Sequence, residues 1–314
     1  MIIDKSYVGS FIKTTERGAF GASLYRGKND KTAADKAAVD EMRNELNKIN
    51  MIGKIVIGEG EMDEAPMLYI NEQVGTKKGE EFDIAVDPLE GTNFTAKNLP
   101  NALSVLAVTK KGNLLHAPDI YMEKIAVGAN LPKGVVDLNF TVKKNIERLS
   151  DAKKIKISNL TACVLKRPRH DNIIKTLNKM GVKINFITDG DVSGVMSVAY
   201  PKKNIDIYLG IGGGPEGVLA AAALKCMGCQ MQTRLFFQNK DEENRAKKLG
   251  VKDLNKKYEI QDMVKGDVIF CATGVTDGDL VSGIKDDGNF FLSETLVLHE
   301  SSKINKIVKN RIKK

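Results

Sequence analysis

The sequence predicts an α/β protein with two lobes. Short β-rich segments recur along all 314 residues, and glycines or acidic residues follow many of them. Beyond about residue 130 they alternate with helical patterns of about ten residues, which is typical of α/β layers. Hydrophobic residues make up 42% of the chain and charged residues 28%, so a globular protein with a substantial core is expected.

The first part of the chain predicts helices followed by short strands. Between residues 4 and 50, alanines recur at helical spacing with charged residues between them. Two apolar strands are predicted next, at residues 55–57 and 84–86. Glycine, asparagine and proline then separate further β-rich segments. These predict strands at residues 103–108, 114–117 and 125–127.

Strands and helices alternate in the second part of the chain. Strands are predicted at residues 162–165, 182–187 and 205–209, and helices at 171–180, 192–199 and 216–227. The last third returns to isolated strands, at residues 268–272 and 295–298. We place the lobes at about 1–130 and about 131–260, with residues 261–314 packing back across them.

The chain lacks the sequence features of a membrane or exported protein. No run approaches the roughly 18 consecutive apolar residues of a membrane-spanning helix. The N-terminus meets Asp4 at once and lacks a basic-then-apolar signal pattern. We therefore expect a cytoplasmic protein.

The four cysteines are Cys163, Cys226, Cys229 and Cys271. The C-x-x-C pair at 226–229 is compatible with redox chemistry or half a zinc site. It lies, however, in an alanine-rich run that predicts a helix closing on Gly228. Because no second pair of cysteines or histidines accompanies it, we interpret these cysteines as structural.

The net charge of +8 raises the alternative of a non-catalytic nucleic-acid-binding protein. Lysines are spread along the chain, and seven Tyr, eleven Phe and no Trp offer no stacking platform among them. The densest basic cluster, residues 303–314, is interpreted as a solvated terminal face. Positive charge also suits an enzyme with an anionic substrate, so no nucleic-acid partner is expected.

Acidic residues stand beside glycines where predicted strands end. Glu59 follows the strand at 55–57, Asp87 and Glu90 follow the strand at 84–86, and Glu216 follows the glycine-rich residues 210–215. Carboxylates that converge at strand ends repel one another and need a hard cation such as Mg²⁺ or Mn²⁺ between them.

The turn after the second strand adds three features to these carboxylates. Pro88 forces a turn, Gly91 permits close approach of a ligand, and Thr92 supplies a hydroxyl. Two metals about 4 Å apart can activate a water and stabilise the leaving oxygen in phosphoryl transfer. The pattern predicts a metal-dependent phosphatase.

Further residues suit the binding of phosphate. The glycines at 212–214 precede a predicted helix and can present backbone N–H groups to an anion. Arg167 and Arg169 flank Pro168, and arginine forks suit phosphate oxygens. The Gly-Lys-Ser/Thr ending of a nucleotide phosphate loop is absent, which disfavours an NTPase.

Each motif also has an ordinary structural interpretation. The run Asp87-Pro88-Leu89-Glu90-Gly91-Thr92 is compatible with a simple strand-to-turn connection, and Asp189-Gly190-Asp191 with a polar turn. Residues 167–170 are compatible with a charged loop. His170 has no Ser or Cys nucleophile motif beside it, so it is not interpreted as a catalytic base.

Several segments resemble the class II, GlpX-type fructose-1,6-bisphosphatases. Residues 58–69 and 83–92 carry the resemblance, together with 117–124, 189–191 and 210–217, in family order and spacing. The similarity extends from about Thr14 to Glu300. The short D-P-x-E/D-G-T signature is shared with inositol monophosphatases and other lithium-sensitive phosphatases, so alone it indicates that superfamily.

The resemblance implies a layered α/β/α/β/α sugar-phosphatase fold, with a metal-binding first lobe and a substrate-binding second lobe. It also implies gluconeogenic hydrolysis of the 1-phosphate of fructose 1,6-bisphosphate with Mn²⁺ or Mg²⁺, by a homo-oligomer of two or four chains. Hydrolysis of sedoheptulose 1,7-bisphosphate, or of both sugar bisphosphates, remains an alternative. Inositol monophosphate is disfavoured, because Arg167 and Arg169 suggest a second phosphate.

Residue by residue, the resemblance implies a complete site. The family's metal ligands fall on Asp35, Glu59, Asp87, Glu90 and Glu216. Its catalytic threonine falls on Thr92, which would orient or help to deprotonate the attacking water with Asp35. Its substrate contacts fall on Glu90, Gly91, Thr92, Tyr121, Arg167, Pro168, Arg169, Asp189, Gly190, Asp191 and Gly213.

Arginine and tyrosine would hold the remote phosphate, and the two aspartates would accept sugar hydroxyls. The sequence departs from the family pattern at Arg167, where a lysine is expected, and at Gly214, where an alanine is expected before Pro215. The first change keeps the charge and alters its geometry. A metal site with a regulatory use remains a further alternative.

Overall fold

A computed structural model describes residues 2–58 and 67–314. The described helices are α1 Tyr7–Ser23, α2 Lys31–Leu46, α3 Thr92–Ala96, α4 Val142–Lys153, α5 Asp171–Met180, α6 Asp191–Met196, α7 Gly214–Cys226, α8 Lys240–Lys248 and α9 Ile260–Met263. The described strands are β1 Met51–Ile57, β2 Gln73–Val74, β3 Glu80–Glu90, β4 Leu103–Lys110, β5 Tyr121–Val127, β6 Thr161–Leu165, β7 Lys183–Ile187, β8 Ile207–Gly213, β9 Gln230–Phe236, β10 Lys257–Glu259, β11 Val268–Gly274, β12 Lys285–Asp287, β13 Phe290–His299 and β14 Ile304–Lys313. The expected metal ligand Glu59 lies outside the described residues.

The chain divides into two compact units. One contains the described residues up to Leu115 together with Val264–Lys314, and the other is His116–Met263. Residues 116–130, assigned above to the first lobe, therefore belong to the second unit, because β5 pairs with β8 and β9 there. Residues 264–314 belong to the first unit, because β11 pairs with β4.

The first unit is built on a sheet in the order β12-β13-β11-β4-β3-β1-β2, with β14 paired to β13. The strands β1 and β3 run parallel, as expected for strands joined by a long connection. Helix α1 packs on this sheet through apolar residues at helical spacing, and Phe20 of the helix stacks on Phe291 of β13 with centroids 4.5 Å apart. The core continues through Phe11 and Phe82.

The end of β3 differs from the sequence prediction. The predicted strand stops at Asp87-Pro88, whereas β3 continues to Glu90. Its pairing with β4 is irregular between Asp87 and Glu90, because Pro88 has no N–H to give to the ladder. The strand therefore holds both carboxylates on one rigid element.

The second unit is built on a sheet in the order β10-β9-β5-β8-β6-β7. The strand β5 is antiparallel to β8 and β9, and β6 is parallel to β7 and β8. Helix α7 packs against β5, β8 and β9, and its alanine-rich residues 217–224 are all buried. The two helix-covered sheets confirm the predicted α/β class.

Several local predictions are confirmed and others are wrong. The helix at 171–180 is α5, and the helices between residues 4 and 50 are α1 and α2. The predicted strand at 114–117 is wrong, because Leu114 makes a single bridge, to Val264. The strand predicted at 205–209 is β8, which continues through the glycine-rich residues 210–213.

The C-terminal segment was interpreted as a solvated terminal face, and it is a regular strand. All ten residues of β14 pair with β13. Its basic side chains are exposed, because they extend from the solvent side of an edge strand. The apolar residues Ile304, Ile307, Val308 and Ile312 do not alternate with polar ones, so the sequence carries no period-2 signal for this strand.

No disulfide joins the four cysteines, which all lie in the described residues, and Cys226 ends α7 two residues before Gly228 at φ +67°. Burial raises the pKa of Cys163 and of Cys229 to about 11, so both thiols stay protonated at neutral pH. These observations support the structural interpretation. Among the residues that the structure describes, no helix is both long and apolar enough to cross a membrane.

Candidate active site

The end of β3 brings two carboxylates together in the first unit. One carboxylate oxygen of Asp87 lies within 4.8 Å of one of Glu90. Glu90 is buried, and Asp87 Oδ1 accepts a hydrogen bond from the N–H of Leu89 at 3.1 Å. Two carboxylates this close repel each other unless a cation or proton lies between them. The pair can therefore bind a divalent cation, for which oxygen ligands are suited.

Thr92 begins the helix that follows this pair. Gly91 adopts φ +84°, and a Cβ there would lie 2.8 Å from Cδ2 of Phe94, so glycine is required for the sharp turn from β3 into α3. The N–H of Phe94 returns to the carbonyl of Gly91 at 2.9 Å. This turn puts the threonine hydroxyl two residues beyond Glu90.

Asp35 lies on α2, which packs against β3 and α3. The helix begins at the N-cap Asp30, whose side chain accepts from the N–H of Ala33 at 2.9 Å. Asp35 is half-buried, and its Oδ1 atom is inaccessible to solvent. The structure thus places Asp35 on an element that contacts the strand carrying Asp87 and Glu90.

Glu216 lies in the first turn of α7 in the second unit. Its Oε2 atom is buried and has no hydrogen-bond partner among the described residues. Burial raises the pKa of this carboxyl group, and the nearby Lys124 opposes the shift. A buried carboxylate oxygen without a donor is costly, and a bound metal ion would satisfy it. Glu216 therefore fits the role of a metal ligand.

Gly213 gives the Glu216 carboxylate its space. A Cβ on Gly213 would lie 1.9 Å from Glu216 Oε2. The backbone of Gly213 is extended, at φ −60° and ψ 142°, so the requirement for glycine comes from this close approach and not from the dihedral angles. Gly213 thus leaves room for the Glu216 carboxylate as well as for any ligand that approaches the backbone.

Asp191 is held by two buried donors. Its Oδ2 accepts from the ammonium group of Lys124 and its Oδ1 from the hydroxyl of Tyr208. Lys124 is 1% exposed and Tyr208 is fully buried. Sequence reasoning missed both donors; a lysine next to the apolar run Ile125-Ala126-Val127 was the signal for the first. Asp189, two residues earlier, is half-exposed.

Arg169 lies on the ring of Tyr121. Its guanidinium carbon is 4.5 Å from the ring centroid, and its Nε donates to the carbonyl of Ile211 at 3.0 Å. The cation–π contact holds the guanidinium group of Arg169 against the ring, while the side chain remains exposed to solvent. Arg167 is half-buried and donates to the carbonyl of Lys166 at 3.2 Å. Tyr121 and Arg169, both expected to bind substrate, are thus in contact.

His170 is fully buried beside this pair. Its Nδ1 is 2.6 Å from the carbonyl oxygen of Leu165, and its Nε2 accepts from the N–H of Ile211 at 2.8 Å. Burial lowers the pKa of His170, so the ring is neutral at neutral pH. Both ring nitrogens are occupied, which supports the interpretation that His170 is not a catalytic base.

Carboxylates that can hold a divalent metal beside a hydroxyl are suited to metal-assisted phosphoryl transfer. Comparison with known proteins agrees with this chemistry. Residues 5–312 match the family described as bacterial fructose-1,6-bisphosphatase, glpX-encoded. The chain belongs to this family of phosphatases.

Curated relatives carry the same name. The chain is 46% identical over 307 residues to the fructose-1,6-bisphosphatase class 2 of Haemophilus influenzae, covering 93% of this chain and 92% of the relative. It is 40% identical over 317 residues to the D-fructose 1,6-bisphosphatase class 2/sedoheptulose 1,7-bisphosphatase of Synechococcus sp., covering 93% and 91%. The expected family resemblance is confirmed.

A solved structure named inositol monophosphatase-fructose 1,6 bisphosphatase is also similar, with a TM-score of 0.35 and 12% identity. The similar region covers 63% of this chain and 73% of that one.

Proposed function

We propose that this protein hydrolyses the 1-phosphate of D-fructose 1,6-bisphosphate to give fructose 6-phosphate and phosphate, in gluconeogenesis. The observation that carries the proposal is the pair formed by half-buried Asp87 and buried Glu90 at the end of β3, with Thr92 opening the next helix, in a chain of this family. In the reaction a water oxygen bonds to phosphorus, the bond to the sugar oxygen breaks, and a proton reaches that oxygen.

The proposed metal ligands are Asp35, Glu59, Asp87, Glu90 and Glu216. A bound Mn²⁺ or Mg²⁺ would activate the water and offset negative charge on the leaving oxygen. Within residues 2–58 and 67–314, Oε2 of Glu216 has no hydrogen-bond partner; this and the repulsion between Asp87 and Glu90 support the choice of ligands. The hydroxyl of Thr92 orients the water, and the carboxylate of Asp35 receives its proton.

The proposed substrate contacts are Glu90, Gly91, Thr92, Tyr121, Arg167, Pro168, Arg169, Asp189, Gly190, Asp191 and Gly213. Tyr121 and the two arginines bind the remote phosphate, and the flat, exposed edge of Arg169 supports that role. Asp189 and Asp191 accept hydrogen bonds from hydroxyl groups of the sugar. Although Asp191 already accepts from Lys124 and Tyr208, each carboxylate oxygen has a second lone pair for a hydroxyl.

Phosphate release from a panel of sugar bisphosphates and monophosphates, with Mn²⁺, Mg²⁺ or a chelator, tests the proposal. We expect turnover of fructose 1,6-bisphosphate that needs a metal and that falls at least about 100-fold in Asp87→Asn and in Thr92→Ala. Glu81→Gln is the matched control, because Glu81 lies on the same strand but is exposed. Full activity of either site variant would disprove the assignment.

Sedoheptulose 1,7-bisphosphate is a second candidate substrate, because the Synechococcus relative carries both names. The two sugars share the end that reacts and differ at the remote phosphate. The ratio of kcat/KM values for the two sugars measures the preference. We expect Arg169→Ala to lower both values, since each sugar has a second phosphate.

We also propose a cytoplasmic homo-oligomer of two or four chains that binds no nucleic acid. Light scattering after size-exclusion chromatography measures the mass in solution against 34.4 kDa for one chain. Tight, steeply salt-dependent binding to nucleic acid would favour the alternative function instead.

A further inference from the structure

We infer that His170 is a positioning residue that fixes Arg169 for the remote phosphate of the substrate. The inference rests on the proposed function for its substrate and on the geometry around Ile211 for its mechanism. His170 is not proposed to touch a reacting group. It acts by completing the hydrogen bonds of one exposed strand end.

The end of β8 loses its strand partner before Ile211. The ladder between β6 and β8 joins Ala162 to Ile207 and Cys163 to Tyr208, and it goes no further. On its other edge, β8 pairs with β5 through to Gly213. In a strand, the N–H and C=O of one residue point to the same edge. Ile211 therefore presents both groups where β6 has ended.

Two consecutive side chains take the place of the missing strand. His170 Nε2 accepts from the N–H of Ile211 at 2.8 Å, and Arg169 Nε donates to its carbonyl at 3.0 Å. Both come from the short turn after β6, which contains Pro168. The imidazole of His170 thus binds the N–H of Ile211, and the guanidinium of Arg169 binds the carbonyl of the same residue.

The partners of His170 fix its proton. A carbonyl oxygen can only accept and a backbone N–H can only donate. The ring must therefore carry its proton on Nδ1, facing the carbonyl of Leu165, and its lone pair on Nε2, facing Ile211. The ring is neutral and joins the end of β6 to the end of β8.

These two hydrogen bonds to Ile211 matter because Arg169 has a long, exposed side chain. Ordering such a side chain during binding costs up to about 2 kcal/mol of rotamer freedom. The carbonyl of Ile211 and the ring of Tyr121 order it in advance, 4.5 Å from the ring centroid. If His170 releases Ile211, the carbonyl that holds Arg169 moves, and binding of the remote phosphate weakens.

Two conservative variants separate the two hydrogen bonds of His170. In His170→Gln the amide oxygen reaches the position of Nε2 and accepts from Ile211. In His170→Asn the amide reaches the position of Nδ1, keeps the bond to Leu165 and leaves Ile211 without an acceptor. His116→Asn is the matched control, because His116 is an exposed histidine of the same unit.

Kinetics with two substrates measure the effect. For fructose 1,6-bisphosphate, we expect KM to rise about tenfold in His170→Asn and to stay within about threefold of wild type in His170→Gln. For p-nitrophenyl phosphate, which has no second phosphate, KM should change less than about threefold in both. A large fall in kcat with both substrates, together with a shifted pH profile, would instead assign His170 to the chemistry and overturn the inference.

A binding measurement keeps the test independent of turnover. In the full-length protein with chelator, inorganic phosphate should bind about tenfold more weakly to His170→Asn and to Arg169→Ala, and no more weakly to the double variant. Additive losses in the double variant would overturn the inference. So would an equal fall in Tm and phosphate affinity in both His170 variants. Absence of phosphate release from the sugar by wild type is a separate result, against the proposed function.

Discussion

At the scale of single residues, the candidate site depends on where carboxylate oxygens find, or lack, a donor. Asp191 has two buried donors, whereas Glu216 Oε2 has none among the described residues. The first arrangement stabilises the protein on its own, and the second becomes favourable when a cation binds. The contrast supports the proposed metal role of Glu216, whereas Asp191, proposed to accept a hydrogen bond from a sugar hydroxyl, is already held in place by its own donors.

Substitution of Gly213 tests whether the Glu216 carboxylate needs the space that a glycine leaves beside it. In Gly213→Ala the new Cβ would lie 1.9 Å from Glu216 Oε2, which is too close, so the carboxylate must move aside. We expect at least about a tenfold loss of metal-dependent phosphate release, with the fold retained, because the displaced atom is the end of a flexible side chain. Activity together with a thermal melt measures both effects.

Gly9→Ala is the control for that substitution. Gly9 lies in α1, and no atom is within 4 Å of a Cβ built there. Alanine should stabilise the protein by about 0.5–1 kcal/mol, because glycine loses more backbone freedom in a helix. Unchanged activity with a slightly higher Tm is the expected result; loss of activity in both variants would point to a nonspecific effect.

At the scale of elements, buried polar groups join segments that are distant in sequence. In the second unit the buried Lys124 of β5 pairs with Asp191 at the start of α6. In the first unit, Glu16 of α1 accepts from Ser293 of β13 at 2.7 Å and from Asn310 of β14 at 2.8 Å. These bonds specify which surfaces of the helices and strands meet.

Removal of the Lys124 charge should destabilise the protein strongly. Lys124→Met leaves Asp191 buried with an uncompensated charge, which costs about 3–5 kcal/mol. The double variant Lys124→Met/Asp191→Asn should recover part of the loss, since the unpaired charge is gone. Denaturation by urea measures each free energy of unfolding.

Lys143→Met is the matched control, because Lys143 and Glu147 form an exposed pair 3.8 Å apart. Such pairs contribute about 0–1 kcal/mol. A small effect of Lys124→Met, close to that of the control, would contradict the importance of the buried pair.

Asp267 makes stability depend on pH. It accepts from the N–H of Ile3 at 2.8 Å, from the Ser301 hydroxyl at 2.7 Å and lies 3.0 Å from His299 Nε2. Burial acts to raise the pKa of Asp267, but the hydrogen bonds from Ile3, Ser301 and His299 outweigh it and hold the pKa below its ordinary value of 3.8.

A lowered carboxyl pKa gives stability that is present above the unfolded-state value and is lost as the pH falls through the folded-state value. Asp267→Asn should therefore lower the free energy of unfolding at pH 7 by about 2 kcal/mol. It should also flatten the loss of stability of the wild type below about pH 4. Urea denaturation at pH 7, 4 and 3 tests this; parallel pH profiles for the two proteins would contradict it.

At the scale of the whole molecule, metal binding should be linked to folding. Ligand that binds the folded state alone stabilises it by about 2.7 kcal/mol at 100 times its Kd. We expect Mn²⁺ to raise the Tm of the wild type and of Glu81→Gln, and to have little effect on Asp87→Asn. A Tm shift in Asp87→Asn equal to that of wild type would exclude Asp87 as a ligand.

The sequence predicted the fold class well because helical and strand periodicities are local. Helix α5 and strand β6 follow from such patterns within their own residues. It failed where pairing is decided at long range. Strand β14 exists because all its residues pair with β13, and residues 210–213 continue β8 because β5 lies beside them.

The sequence by itself determined the family, the run Asp87 to Thr92 and the types of residue that suit metal and phosphate, because these are properties of residue order. The tertiary structure decided the rest. It assigned residues 264–314 to the first unit, buried Lys124 against Asp191 and set His170 against Ile211. It also left Glu216 Oε2 without a donor from the part of the chain that the structure describes. Each of these depends on contacts between residues far apart in the chain, and such contacts follow from the packing of elements and not from local pattern.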